Sequence, residues 1–534
     1  MRVPLNYLSA VLFSALGAGL HAQCIAPVSA PFDIVTVGSP TDERFRDDQL
    51  RGRCPTAGAL IRSASSLSRT IELPGDVRFV GVVPRIENTF NSELPFSLND
   101  GPQWAGRGWT TTLSGGVRLE TDQVSVGFMP QVVYTQNRPF FVFQSRVPGR
   151  NVFASPWHGA IESADLPLRF GDRPIAQLFP GDSWVEARVG DVGMGASTEN
   201  LWWGPGLRNG LLMSNNAAGI PQVYLRTRKP IKTPVGDIET RVLLGILTES
   251  RFFDDSSSNN YRAISAAVAT LRVPFDTGLT LGVARSVYGT IDWAGDAIPH
   301  IVDFAVRWNQ VKDTLSPAPK DATDQLLSFF GRWISPVAGI EIYGEWAKLF
   351  VPGIRELLVS PDAHQGFTVG LQWEAPAVAR GALRLQAEVT TLEQSPPTPG
   401  ATTPIFYTSR FSRQGYTQRG QIIGATIGPG ASSQWLAFDF LGRVWRYGAF
   451  VGRTRVEDEV LYQQVDGRLS HHDVTVYSGV RGGARLPRAD ISGELFVGRR
   501  YNYLFQTDSY NVGDVPPANA IDVQNVTLRF RVTP

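Results

Sequence analysis

The sequence predicts an all-β protein: a large antiparallel outer-membrane β-barrel of about 18 strands behind a small N-terminal helical segment. Three observations carry that prediction. From residue 76 to the end, apolar and polar residues alternate with a period of two, the mark of strands with one apolar face. After the first 22 residues there is no apolar run of about 18, so no membrane-spanning helix is expected. Charged residues make up only 19% of the 534 positions, beside 53 Gly and 10% aromatics, which is lean for a chain of several soluble domains.

Residues 1–22 read as a secretory signal. Arg2 is the positive start, Leu5 to Leu20 is the apolar core, and Ala22 precedes the cut. Residues 23–75 form a separate periplasmic segment. Thr41 to Arg51 is polar and helix-compatible, with Thr41 as candidate N-cap, and Leu60, Ile61 and Leu67 supply a thin apolar set. In an exported chain with two cysteines, a Cys24–Cys54 disulfide is the default. It closes a loop of about 30 residues and contributes roughly 3 kcal/mol in the chain-entropy picture. Gln23, directly before Cys24, argues against lipidation there.

Residues 76–534 are the barrel, with room for about 18 strands at about 25 residues per strand and connection. Phe367, Val369, Leu371 and Trp373 alternate with Thr368, Gly370, Gln372 and Glu374; Leu383, Leu385, Ala387 and Val389 alternate with Arg384, Gln386, Glu388 and Thr390. Val526, Leu528, Phe530 and Val532 carry the pattern to the end of the chain. Polar loops such as Asp254 to Asn260 separate the runs. Between 137 and 182 the alternation fails, and Pro139, Pro148, Pro156, Pro167, Pro174 and Pro180 exclude a central strand over most of that length. This stretch is expected as long loop or inward-folded structure.

The densest motif follows. Asn200, Trp202, Trp203, Gly204, Pro205, Gly206, Ser214, Asn215 and Asn216 join a Trp pair, a rigid Gly-Pro-Gly reversal and paired amides. Flat aromatic faces and amides suit a sugar, and a tight interior turn uses the same residues for folding alone. Arg226 and Arg228 downstream offer guanidinium forks for carboxylates, or interior ion pairs.

Other chemistries find little support. Net charge is +1, which gives nucleic acid no basic surface. Protease, hydrolase and nucleotide-loop signatures are absent, so no catalytic residue and no cofactor is expected. Two cysteines exclude a cysteine-rich zinc site, and His471 and His472, adjacent in a strand, point to opposite faces, so no metal is expected.

The run Thr198-Glu199-Asn200-Leu201-Trp202-Trp203-Gly204-Pro205-Gly206, with Leu212 to Ala217, Pro221 to Leu225 and Gly181 to Trp184, resembles the signature of the Wzi-type capsule assembly family. The resemblance implies an 18-strand outer-membrane barrel with a small periplasmic helical element. It implies a non-enzymatic, lectin-like role in attaching or organising capsular polysaccharide at the cell surface. Implied partners are that polysaccharide, outer-membrane lipid and the polysaccharide export machinery. The alternative is a porin passing small polar solutes through a charged lumen. Residue types alone leave open whether the lumen is open or plugged.

Overall fold

In the computed structural model, residues 34–533 are described except 57, 69–78, 146, 158–161, 258, 309–321, 350–353, 377–380, 395–403, 464–470, 488 and 507–521. The signal segment and Cys24 lie outside the described residues, so the Cys24–Cys54 bridge remains an expectation. Cys54 itself is buried beside Val35, Val37, Phe45, Leu67 and Trp202.

The strands close into one antiparallel barrel. Among the described residues fifteen staves are single strands and three are built from paired short strands in line, which makes 18. The broken staves are Val124–Phe128 with Gln131–Thr135, Ile175–Phe179 with Trp184–Val189, and Gln222–Thr227 with Ile231–Thr233. Pro130 and Pro180 stand in the first two breaks, where a missing N–H costs no ladder bond. The seam pairs the first stave, Phe79–Asn91, with the last, Val523–Thr533, from Ile86 opposite Val532 to Asn91 opposite Thr527.

Alternation places apolar side chains outward. Val185, Val223, Val369, Val451, Val480 and Leu495 are all exposed on the wall. Such an area of apolar surface belongs in a bilayer. Trp333, Trp373 and Trp445 mark the end with short turns; Trp109, Tyr134, Tyr261 and Tyr501 mark the end with long loops. These are the two aromatic girdles of an outer-membrane barrel.

The inward face is charged and filled. The helix Pro40–Leu50 lies inside the bore at the short-turn end. It starts at Ser39, whose Oγ accepts the Asp42 N–H at 3.3 Å, with Pro40 in the first turn. The cap is therefore Ser39 rather than Thr41, because Pro40 has the fixed φ and missing N–H that suit that first position. The helix was expected in the periplasm; wall charges seat it in the lumen. Arg46 donates through Nε to Glu341 at 2.9 Å, and Arg332 bonds the same carboxylate at 3.0 Å. Arg384 donates to Asp47 at 3.0 Å and to Asp439 at 3.0 Å; Arg51 meets Glu374 at 2.6 Å. Ion pairs enclosed in this way cost heavily if one partner is removed. Above the helix, residues 197–221 and 404–431 fold inward and complete the plug around Trp203, Leu211, Leu212, Tyr407, Tyr416 and Ile423. A cavity of about 230 Å³ remains at one side, between Trp202, Arg208, Arg384 and Arg481.

Candidate functional site: an interior keystone and an outer cleft

The sequence motif is the centre of the plug. Leu201–Trp203 pairs antiparallel with Ile61–Ser63 of the N-terminal segment. The Trp203 N–H donates to Met213 O at 3.1 Å and the Gly204 N–H to Leu60 O at 2.9 Å. Gly204 has φ +91, and a Cβ there would stand 2.9 Å from Glu345 Oε2, so only Gly fits. Pro205 O accepts from Arg46 at 2.7 Å.

After Gly206 the backbone wraps a carboxylate from the wall. The N–H groups of Leu207, Arg208 and Asn209 donate to Glu388 at 2.6, 3.1 and 3.0 Å, and Tyr343 OH adds a fourth bond at 2.8 Å. Successive N–H groups around one anion form a nest. Glu345 accepts from Leu211 N–H at 3.1 Å and Ser328 Oγ at 2.7 Å. Two wall glutamates thus position the whole turn.

The amides tie the turn to its neighbours. Asn215 Nδ2 donates to Val37 O at 3.0 Å and Asn216 Nδ2 to Ile422 O at 3.0 Å; Ser214 Oγ donates to Gly424 O at 2.6 Å. Asn200 N–H donates to Asp182 at 2.9 Å. Arg226 forks onto Glu186 at 2.6 and 3.1 Å, and Arg228 reaches Gly190 O at 2.9 Å at the short-turn end.

These placements change the reading of the Trp pair. Trp203 is 0% exposed and Trp202 3%, with the Arg62 guanidinium 5.1 Å above the Trp202 ring. Neither ring presents a face to a sugar outside the barrel. Arg226 is likewise saturated by Glu186, so it has no fork left for an acidic glycan. The motif is a packing and hydrogen-bonding hub.

The accessible aromatic surface lies at the long-loop end, on residues the sequence did not single out. Trp104, Phe170 and Phe252 run in series, with ring centroids 5.0 and 5.8 Å apart. They line a cleft of about 680 Å³ with Gln177, Phe179, Arg173, Arg251, Arg419 and Gln421. Asn137 (φ +46) holds the Phe170 loop by donating to the carbonyls of Phe170, Gly171 and Arg173 at 3.1, 3.0 and 2.9 Å. Burial pushes the Glu249 carboxyl at the cleft edge up to about 7. The proline-rich 137–182 stretch was the available signal, since it supplies Phe170, Arg173 and the strand at the cleft wall. Rings with arginines and amides can stack on sugars and bond hydroxyls or acidic groups. Among the described residues no cluster of three His, Cys, Asp or Glu side chains gathers to hold a metal ion.

Comparison with known proteins follows from this geometry. Residues 106–439 match the family model described as capsule assembly protein Wzi. Among solved structures, the chain is similar to Wzi of Escherichia coli, described as an outer-membrane protein involved in group 1 capsule assembly and a carbohydrate-binding β-barrel. Identity is 11%, the TM-score is 0.54, and 96% of each chain is covered. A BenF-like porin from Pseudomonas fluorescens Pf-5 matches at 8% identity and a TM-score of 0.41, over 85% of this chain and 98% of that one. OccK2 (OpdF) of Pseudomonas aeruginosa matches at 11% identity and a TM-score of 0.37, over 84% and 97%. No curated protein matches the sequence.

Proposed function

The chain belongs to the capsule assembly protein Wzi family, and from that premise we propose that it holds exported surface polysaccharide at the long-loop face of its outer-membrane barrel. The observation that carries this reading is the filled bore. A helix locked by ion pairs, an inward-folded motif turn and the 404–431 segment occupy the lumen. Such a barrel displays a surface, whereas a solute filter needs a continuous polar path. The cleft of Trp104, Phe170 and Phe252 with its arginines is the candidate glycan contact. Capsular polysaccharide is the ligand this favours, with the export machinery as the source of the polymer.

The test is a pull-down of the host's own surface polysaccharide by the detergent-purified protein, beside Trp104→Ala/Phe252→Ala. Binding by the wild type, weakened in a double variant that still folds as a heat-modifiable barrel, is expected. No binding to any native glycan, together with steady single-channel conductance in planar bilayers, would replace this reading with the porin.

A further inference from the structure

The barrel wall is incomplete at the long-loop end. Ile175–Phe179 pairs through one edge with Gln131–Thr135, and among the described residues no strand pairs with the other edge. Across the gap stands the end of Gly236–Thr248. Its neighbour Gln222–Thr227 stops pairing with it at Gly245, with one more bond from Ile246 N–H to Pro221 O at 3.0 Å, so among the described residues Leu247 and Thr248 have no strand on that side. Residues lining the cleft come from both lips, Ile175 to Phe179 and Thr248 to Phe252.

A small hairpin enters the gap. Thr417–Gln418 pairs with Gln421–Ile422, and the connecting Arg419 and Gly420 have φ +52 and +84, as in a type I′ turn. Arg419 N–H donates to Thr248 O at 2.8 Å, and Thr248 N–H donates to Gln418 Oε1 at 2.7 Å. The hairpin therefore caps one lip, and among the described residues the Ile175–Phe179 edge stays without a strand.

A bare edge is not tolerated in hydrocarbon, where nothing satisfies its N–H and C=O groups. The gap thus belongs at headgroup level, where hydroxyls, phosphates and water can do so. Its surroundings are two-sided. Outward lie Val132, Tyr134 and Leu178, the last 71% exposed. Inward lie Val133, Phe179, Ala218, Trp104, Phe170 and Phe252. At the rim Arg173, Arg251 and Arg419 are exposed, and among the described residues none of them bonds a carboxylate. Arg419 sits 5.5 Å above the Phe179 ring. Asp172 and Glu249 also line the cleft, leaving the arginines in excess.

A soluble polymer needs no opening towards lipid. An acylated one does: its chains stay in the bilayer along Val132 and Leu178 while its sugars enter the cleft sideways. We propose that this lateral gap docks the anionic head of an acylated glycan of the outer leaflet. Phosphate or carboxylate groups lie against Arg419 and Arg251, and sugar rings lie on Trp104 and Phe170. The proposal rests on the glycan reading above and names the form in which the glycan is held.

The experiment uses the full-length protein in detergent and three probes: an acylated bisphosphorylated diglucosamine, the same compound deacylated, and the host's lipid-free polysaccharide. Acylated probe bound about tenfold more tightly than deacylated, and weakened about tenfold by Arg419→Gln, is the expected result. Arg251→Gln, which lies outside the hairpin, provides the same test if Arg419→Gln disturbs folding. Equal binding of acylated and deacylated probes overturns the lateral site while polysaccharide binding keeps the glycan reading intact. Unchanged binding of the acylated probe in both arginine variants also overturns it. Absence of binding by all three probes removes the glycan reading, and this proposal with it.

Discussion

Two parts of the same wall are built differently. From Gly236 to Thr391 the staves run 9 to 13 residues each, and neighbours pair along nearly their whole length. From Val124 to Thr227 the wall strands are 5 or 6 residues long, two staves are broken at prolines, and among the described residues one edge has no partner strand. The regular wall needs only alternation to form. The irregular wall releases the chain inward between Ser197 and Gln222, and this is where the keystone turn and the outer cleft arise. Irregularity in a closed barrel has to be held by interior contacts, and here Glu388 and Glu345 of the regular wall supply them.

The sharpest way to break that relation is Glu388→Ala. It leaves the buried Asn209 N–H, the half-buried Leu207 and Arg208 N–H groups and the buried Tyr343 hydroxyl without their acceptor, at a cost of roughly 3–6 kcal/mol. We expect a marked fall in the temperature at which the barrel loses its folded electrophoretic mobility, and conductance events in planar bilayers as the plug loosens. An unchanged midpoint would remove Glu388 as the anchor. Trp203→Ala should cost about 3–5 kcal/mol, measured as thermal unfolding. Its polysaccharide binding, measured in the fraction that folds, should match the wild type, because the ring is enclosed.

Arginine substitution on the outer surface compares the two wall regions by depth. Val369, midway along Gln365–Pro376, should cost about 2–4 kcal/mol when replaced by Arg. Leu178→Arg should cost about 0–1 kcal/mol if its strand lies at headgroup level. Denaturant unfolding in bilayers measures both, and equal costs would place Leu178 in hydrocarbon. The smallest effect is expected in the outer loops. Burial, beside Glu393, Glu162 and Asp458, raises the Glu459 carboxyl from 4.5 to about 9. The folded state therefore prefers the proton, and stability declines as pH rises from the ordinary carboxylate range towards 9. Glu459→Gln should raise the thermal midpoint by a few degrees at pH 8 and leave it unchanged at pH 4.

Much of the fold was legible because a barrel needs only local rules. Phe367 to Trp373 and Leu383 to Val389 alternate in the sequence and pair face to face, Val369 opposite Val389 and Leu371 opposite Ala387. The motif around Trp202 and Trp203 was legible as important, and its role was not. Sequence spacing carries no information about depth, and the same Trp-Trp-Gly-Pro-Gly run serves a sugar surface or a buried turn. Arg226 could be read as a fork for carboxylates, but not that Glu186, 40 positions earlier, fills it. The lumen seat of Pro40–Leu50 depends on partners hundreds of residues away, such as Arg384 for Asp47 at 337 positions and Asp490 for Arg44 at 446. The cleft escaped because its rings come from three separate loops that only the closed wall gathers.

The helix in the bore also joins distant parts of the chain. Pro40–Leu50 precedes every stave in the chain, yet its charges reach the late strands, Arg44 bonding Asp490 at 2.7 Å and Arg446 bonding Glu43 at 3.0 Å. The first helix of the described chain is thus fastened to its last strands as well as to its middle ones, through Arg51 to Glu374 and Arg46 to Glu341. A segment from one end of the sequence therefore acts as a hub whose spokes reach staves around the ring, and withdrawing it would strand several buried wall carboxylates at once.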